Sequence, residues 1–200
     1  MKILFIACYS PYINNSASIE TLQYLNKISE IKGNKVHLLT VDFPKDSIYY
    51  DETLGNMINK NIEVHLIEGG RLFNKLVPKK SIKVEDVAIS NKSIKKMKFL
   101  RKIKNAVVIP DMYYGWAKKA SRYGIELMKK ECFNVIFSMH EPPSSHLCAY
   151  RIKKIYRNVP WITYWSDPWL KDSTREKPFI IKQIIEKRME KSIVRLADKF

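Results

Sequence analysis

Glycine and acidic residues are scarce in this chain. None of its six glycines stands in a Gly-x-Gly-x-x-Gly or Walker-type loop, so the usual dinucleotide and phosphate-loop signatures are excluded. No Asp-x-Asp triplet occurs, which argues against a metal-held diphosphate. Cys8, Cys132 and Cys148 lie far apart without paired spacing; neither a zinc motif nor a disulfide framework is indicated, and a reducing cytoplasm fits. No run approaches the roughly 20 apolar residues that span a bilayer. The apolar start, Met1 to Cys8, is too short for a signal ending at a lipid-modified cysteine and suits a buried first strand.

What remains is a basic chain with enough apolar material for a real core. Its 200 residues are 46% hydrophobic, and 36 Lys and Arg against 20 Asp and Glu leave a formal charge of +16. Such charge favours an anionic partner (nucleic acid, a membrane surface or a phosphorylated substrate) or reflects a lysine-rich proteome.

Along the chain, Lys2 to Ala7 reads as a strand and Ser10 to Ser18 as a polar loop. A helix with Leu22, Leu25 and Ile28 on one side follows, stopped by Gly33-Asn34. Lys35 to Val41 and Ile62 to Ile67 read as further strands, with a loop and a short helix between them. The small residues after the first strand suit phosphate or sugar binding at a helix N-terminus, or simple capping. Asp111 is read as the N-cap of a helix whose continuous face includes Tyr113, Trp116, Ala117 and Ala120. A last helix places Ile181, Ile185, Met189 and Ile193 inward and carries Glu186 and Glu190 outward.

Between Arg71 and Lys104 there are twelve Lys or Arg and two acids, interleaved with Leu72, Phe73, Leu76, Val77, Met97, Phe99, Leu100 and Ile103. This pattern suits a surface lying on anionic lipid, with Lys95, Lys96, Lys98 and Arg101 facing the membrane. A nucleic-acid groove competes, but no stacking repeat accompanies the charge. An ordinary solvated insertion at about 71–105 is the third reading.

Asn134 to Trp169 reads strand, loop, helix, strand, loop. A right-handed parallel unit would bring His140, Glu141 and Asp167 to the carboxyl edge of one sheet, where open α/β sheets bind ligands. In its helix Cys148, Ile152, Ile155 and Tyr156 form the apolar face, with Arg151, Lys153, Lys154 and Arg157 largely elsewhere. His140 could hydrogen-bond a sugar hydroxyl or phosphate, and Asp167 could orient or deprotonate an acceptor hydroxyl. Satisfying the loop backbone and capping a turn are the plainer roles for the same two residues. The expected fold is a single α/β domain over 1–200, a Rossmann-like open, mostly parallel sheet with helices on both faces.

The order Met-Lys-Ile-Leu-Phe, a Pro-containing loop of small residues, Gly-x-x-Val-x-x-Leu-Thr over Gly33 to Thr40, His-Glu-Pro, Asp-x-Trp and a late Ala-Asp resembles the N-terminal half of GT-B glycosyltransferases. Within that fold it is most similar to the retaining family four, which includes capsule, O-antigen and mannosyl transferases. The resemblance implies transfer from a nucleotide-diphosphate sugar to a saccharide or lipid-linked acceptor in surface polysaccharide assembly, with no metal or other cofactor. It implies that Asn15, Ser16 and Ala17 occupy the donor-diphosphate loop, although the family's Gly-Gly pair is missing. It implies that His140 lies beside the scissile bond, that Glu141, Ser144 and Trp169 line the acceptor side with Asp167, and that Asp111 and Trp116 serve helix start and packing. The family's nucleotide-sugar domain would begin where this sequence stops, so the expectation is an acceptor-binding half, inactive alone, in the cytoplasm or peripheral on the inner face of the cell membrane. Other classes fit as well: a standalone α/β module for a phosphorylated ligand, or a basic membrane or nucleic-acid adaptor.

Overall fold

The computed structural model describes residues 1–80, 108–171 and 178–200. Among them, five parallel strands form one sheet in the order β3-β2-β1-β4-β5: β1 (Lys2–Ala7), β2 (Lys35–Asp42), β3 (Ile62–Glu68), β4 (Val135–Met139) and β5 (Trp161–Tyr164). The helices are α1 (Ser16–Glu30), α2 (Glu52–Gly55), α3 (Arg71–Leu76), α4 (Tyr114–Lys130), α5 (Ser144–Lys153) and α6 (Ile180–Leu196). The fold is the expected Rossmann-like open sheet, and here it is entirely parallel.

The apolar run of β1 has no polar alternation because both faces are covered. Ile3, Phe5 and Ala7 pack with Leu25 of α1, while Leu4, Ile6 and Cys8 pack with Trp116 and Ala120 of α4 and Cys148 and Ile152 of α5. Gly33 turns the chain into β2 with φ +87, a conformation costly for any residue with a Cβ. Trp116 is fully buried, as its place in the apolar face requires, and its indole N–H donates to the Thr40 carbonyl at 3.1 Å.

Several expectations need correction. Asp111 does not cap α4, whose N-cap is Tyr113. Its carboxylate accepts from the Tyr113 N–H at 2.8 Å, just before that helix, and from the backbone N–H of Ser144 at 3.0 Å, so that it also serves the start of α5, whose own N-cap Pro143 has no side-chain acceptor. Glu186 is buried rather than outward, 3.7 Å from Lys182, and Glu190 is half-buried, whereas Ile181 is exposed. Lys182 reaches inward to donate to the Val108 carbonyl, so α6 is rotated from its apolar pattern. Lys153 is buried too: its ammonium donates to the carbonyls of Arg157 and Val159 and pairs with Asp198 at 2.7 Å. Ile155 lies beyond the end of α5 and is exposed. At the root of the basic segment, Phe73 and Val77 belong to the core and not to a lipid-facing surface. Lys95, Lys96, Lys98 and Arg101 lie outside the described residues.

Candidate functional site

Strand order reverses beside β1: β2 and β3 are added on one side, β4 and β5 on the other. The loops leaving β1 and β4 therefore part at the carboxyl edge, opening the crevice where doubly wound sheets take ligands. A cavity of about 240 Å³ occupies this place, lined by Tyr9 after β1, His140 and Glu141 after β4, Asp167 and Trp169 after β5, and Asp111. A second, wider hollow of about 410 Å³ shares Glu141 and Asp167 with it and is bounded by Ser16, Ala17, Glu20 and Gln23 of α1. A third, about 400 Å³ and largely apolar, shares Tyr9 and runs between Phe43, Tyr49, Leu76 and Tyr113.

The structure thus brings His140, Glu141, Asp167, Trp169, Ser16 and Ala17 to one edge. Asn15 caps α1, its side-chain oxygen accepting from Ser18 N–H at 2.7 Å, and lines the apolar hollow. Ser144 is withdrawn from the cavity lining: it is buried, and its hydroxyl donates to Asp111 at 2.7 Å.

His140 is held between aromatic rings, its ring centroid 5.1 Å from Trp165 and 5.6 Å from His146. Both ring nitrogens are shielded from solvent and have no hydrogen-bond partner among the described residues. Burial lowers its pKa from 6.5 to about 4, against the opposing pull of the Asp167 carboxylate. It is therefore a neutral imidazole at pH 7, able to donate from one nitrogen and accept at the other. Its backbone N–H continues the sheet to Tyr164 O at 2.8 Å, which fixes the ring's position. His146 is fixed differently. Trp161 donates its indole N–H to the Ser138 hydroxyl at 2.8 Å, leaving that hydroxyl to donate to His146 Nδ1 at 2.8 Å.

Asp111, also on the cavity wall, is shifted by burial too. Burial raises its pKa from 3.8 to about 6, although three donors, Ser144 O–H, Tyr113 N–H and Ser144 N–H, favour the ionised form. Tyr9 is pushed above the usual phenol range by burial and then by Glu141, so its hydroxyl stays protonated. The loop that carries Tyr9 is tied to α5 by Cys8 N–H donating to the Ser145 hydroxyl at 2.9 Å. Asp167 is exposed at the rim. A hydroxyl-rich ligand in the cavity would meet a phenol and carboxylates on several sides, with the neutral imidazole of His140 in the wall behind them, its nitrogens covered. That set can orient a hydroxyl and remove its proton.

Reasoning from sequence missed Tyr9, Glu20 and Gln23. Tyr9 sits just after β1 and was accessible to the same edge argument that selected His140. Glu20 enters only through helix phase: it lies on the face of α1 turned toward β5, where it accepts from the Tyr164 hydroxyl at 2.7 Å. No protein-family model matches the chain, and a search of curated proteins finds no match.

Proposed function

We propose that this chain is the acceptor-binding half of a GT-B glycosyltransferase, receiving a saccharide or lipid-linked saccharide in the cavity at the sheet's carboxyl edge. The observation that carries the reading is a neutral, rigidly stacked His140 with unpartnered nitrogens beside Asp167 at the switch point of an all-parallel sheet. At about 240 Å³ the cavity is below the roughly 300–1,000 Å³ of drug-sized sites, which suits one sugar ring with the rest of the acceptor outside. The adjoining apolar hollow beyond Tyr9 favours an acceptor with a lipid or aromatic aglycone.

In this reading a donor domain or subunit closes over the wide hollow and presents the nucleotide-diphosphate sugar. The reaction develops positive charge on the sugar and negative charge on the leaving diphosphate. Asp167 orients the acceptor hydroxyl and takes its proton, His140 hydrogen-bonds the sugar beside the breaking bond, and the N-terminal end of α1 at Ser16 offers its dipole to the diphosphate.

The test is acceptor binding by the chain itself. Saturation-transfer NMR with a panel of octyl glycosides should show contact from the sugar ring, competed by the parent methyl glycoside and weakened in His140→Phe. No ring contact from any glycoside, or contact unchanged in His140→Phe, would overturn the assignment of this cavity. The 200-residue chain by itself should transfer no sugar from nucleotide-diphosphate sugars.

A further inference from the structure

A second cluster lies away from this cavity, beneath the C-terminal end of α4. His37 of β2 and Glu63 of β3 are register partners, and His65 follows two positions along β3, so all three side chains leave the same face of the sheet. His37 Nδ1 is 3.1 Å from His65 Nε2; Glu63 oxygens lie 3.6 Å from the first and 3.5 Å from the second. We propose that His37, Glu63 and His65 form a binding site for a divalent metal of the zinc class, with water as the fourth ligand.

The spacing carries the first part of the argument. Metal–ligand bonds of about 2.0–2.1 Å at a tetrahedral centre put ligand atoms about 3.3 Å apart; the two imidazole nitrogens stand 3.1 Å apart, each has a different Glu63 oxygen at 3.5–3.6 Å, and one ligand atom from each residue falls within 4.8 Å of the other two. The donor set is the second part, since two imidazoles and one carboxylate suit zinc, whereas hard cations such as magnesium prefer oxygen ligands. The surroundings are the third. His65 Nδ1 lies 2.9 Å from the Tyr123 hydroxyl, an outer oxygen partner of the kind that fixes the tautomer and raises the basicity of a metal-bound imidazole, while the Glu131 carboxylate stands 3.5 Å from His37 Nε2 without hydrogen-bonding it and adds negative charge.

Access and charge also fit. Both imidazoles are buried, but the Glu63 side chain is 48% exposed and gives a cation and its water a way in. Lys35 is the competitor, its ammonium 3.9 Å from Glu63 and 4.0 Å from Glu131, while Lys2 is held by Glu131 at 2.7 Å. Without metal, a single proton between the two facing nitrogens satisfies the histidine pair. Binding replaces that proton, which is released to solvent, and displaces Lys35 from Glu63. The metal would pin β2 to β3 and, through Glu131 and Tyr123, both strands to α4.

The experiment is zinc titration of the untagged, chelator-treated protein against a chromophoric competitor. One equivalent should bind with a Kd below about 1 µM. Glu63→Gln should weaken binding at least about tenfold while leaving the metal-free thermal midpoint unchanged, because its ion pair is exposed. His65→Gln should remove tight binding, and Cys132→Ser should keep it, which separates the site from the exposed thiol. Cobalt in place of zinc should give the intense visible absorption of four-coordination, lost in His65→Gln. No stoichiometric binding at 10-fold excess over about 1 µM zinc, or binding unaffected by both Glu63→Gln and His65→Gln, would leave only a hydrogen-bonded histidine pair and overturn the proposal.

Discussion

Two groups on the cavity wall should oppose one another in their effect on stability, and single substitutions should separate them. Burial holds His140 near a pKa of about 4 instead of 6.5, so below pH 6.5 the unfolded chain binds a proton that the native one refuses. Stability therefore rises with pH between about 4 and 6.5, by about 3 kcal/mol. Asp111 behaves in the opposite sense. Its pKa of about 6, against 3.8 when unfolded, lets the native state keep a proton that the unfolded chain has lost, and stability falls by about 3 kcal/mol as pH rises from about 4 to 6. In the parent protein the two slopes largely cancel. His140→Phe keeps the stacking on Trp165 and removes two unpartnered buried nitrogens, so its stability relative to the parent should increase by about 3 kcal/mol on going from pH 7 to pH 4. Asp111→Asn should show the reverse, gaining about 3 kcal/mol relative to the parent from pH 4 to pH 7. A constant loss of about 1–3 kcal/mol lies beneath that gain, because an amide nitrogen now faces donors of Ser144 and Tyr113. Urea unfolding followed by circular dichroism at half-unit pH steps gives both difference curves. Flat curves, or two curves of the same sign, would refute the burial argument for both groups.

Other outcomes follow from contacts elsewhere. Lys153→Met should cost about 2–3 kcal/mol in urea unfolding, since it strips the Arg157 and Val159 carbonyls of their donor and leaves Asp198 without its ammonium. Gly124→Ala should lose about 1 kcal/mol despite the better helix former: the new Cβ would sit 2.6 Å from Ile152 Cδ1 and 3.3 Å from Leu39 Cδ2. Pairing it with Ile152→Val should recover the loss. The twelve basic residues between Arg71 and Lys104 predict binding to anionic liposomes that weakens with salt, because exposed charges are screened within about 10 Å at 0.1 M. Equal binding to neutral vesicles in a sedimentation assay would contradict this. No helix among the described residues is long and apolar enough to cross a membrane.

The sheet was legible in the sequence because a parallel sheet buries both faces, and Ile3 to Ala7, Val36 to Val41 and Val135 to Phe137 read as short, strongly apolar strands. The edge that gathers His140, Asp167 and Ser16 was legible for a related reason: right-handed crossovers leave little freedom in which way such strands point. Besides Ile155 and Ile181, which are exposed, the misread residues were charged ones. Lys153 and Glu186 looked like solvent-facing charges, yet both are buried: Lys153 is held by the Arg157 and Val159 carbonyls beyond its helix and by Asp198, and Glu186 stands beside Lys182 one turn away, which itself reaches inward to Val108. Asp111 was read as the N-cap of α4, which is Tyr113; its side chain does accept from the Tyr113 N–H, but its bond to the Ser144 N–H at the start of α5 joins residues distant in sequence and was not legible. The His37, Glu63 and His65 cluster was invisible for the same reason, since it exists only once β2 and β3 pair in register.

The central claim is that His140 and Asp167 serve transfer chemistry rather than folding. It is tested most directly by sugar transfer from a form that joins this chain to a nucleotide-sugar domain, using His140→Phe and Asp167→Asn against the parent. The account predicts about a 100-fold loss of sugar transfer in each, as when a preorganised polar group is removed from a transfer site, with the unfolding midpoint at pH 7 unchanged or raised for His140→Phe. Transfer at the parental rate in both variants would contradict it.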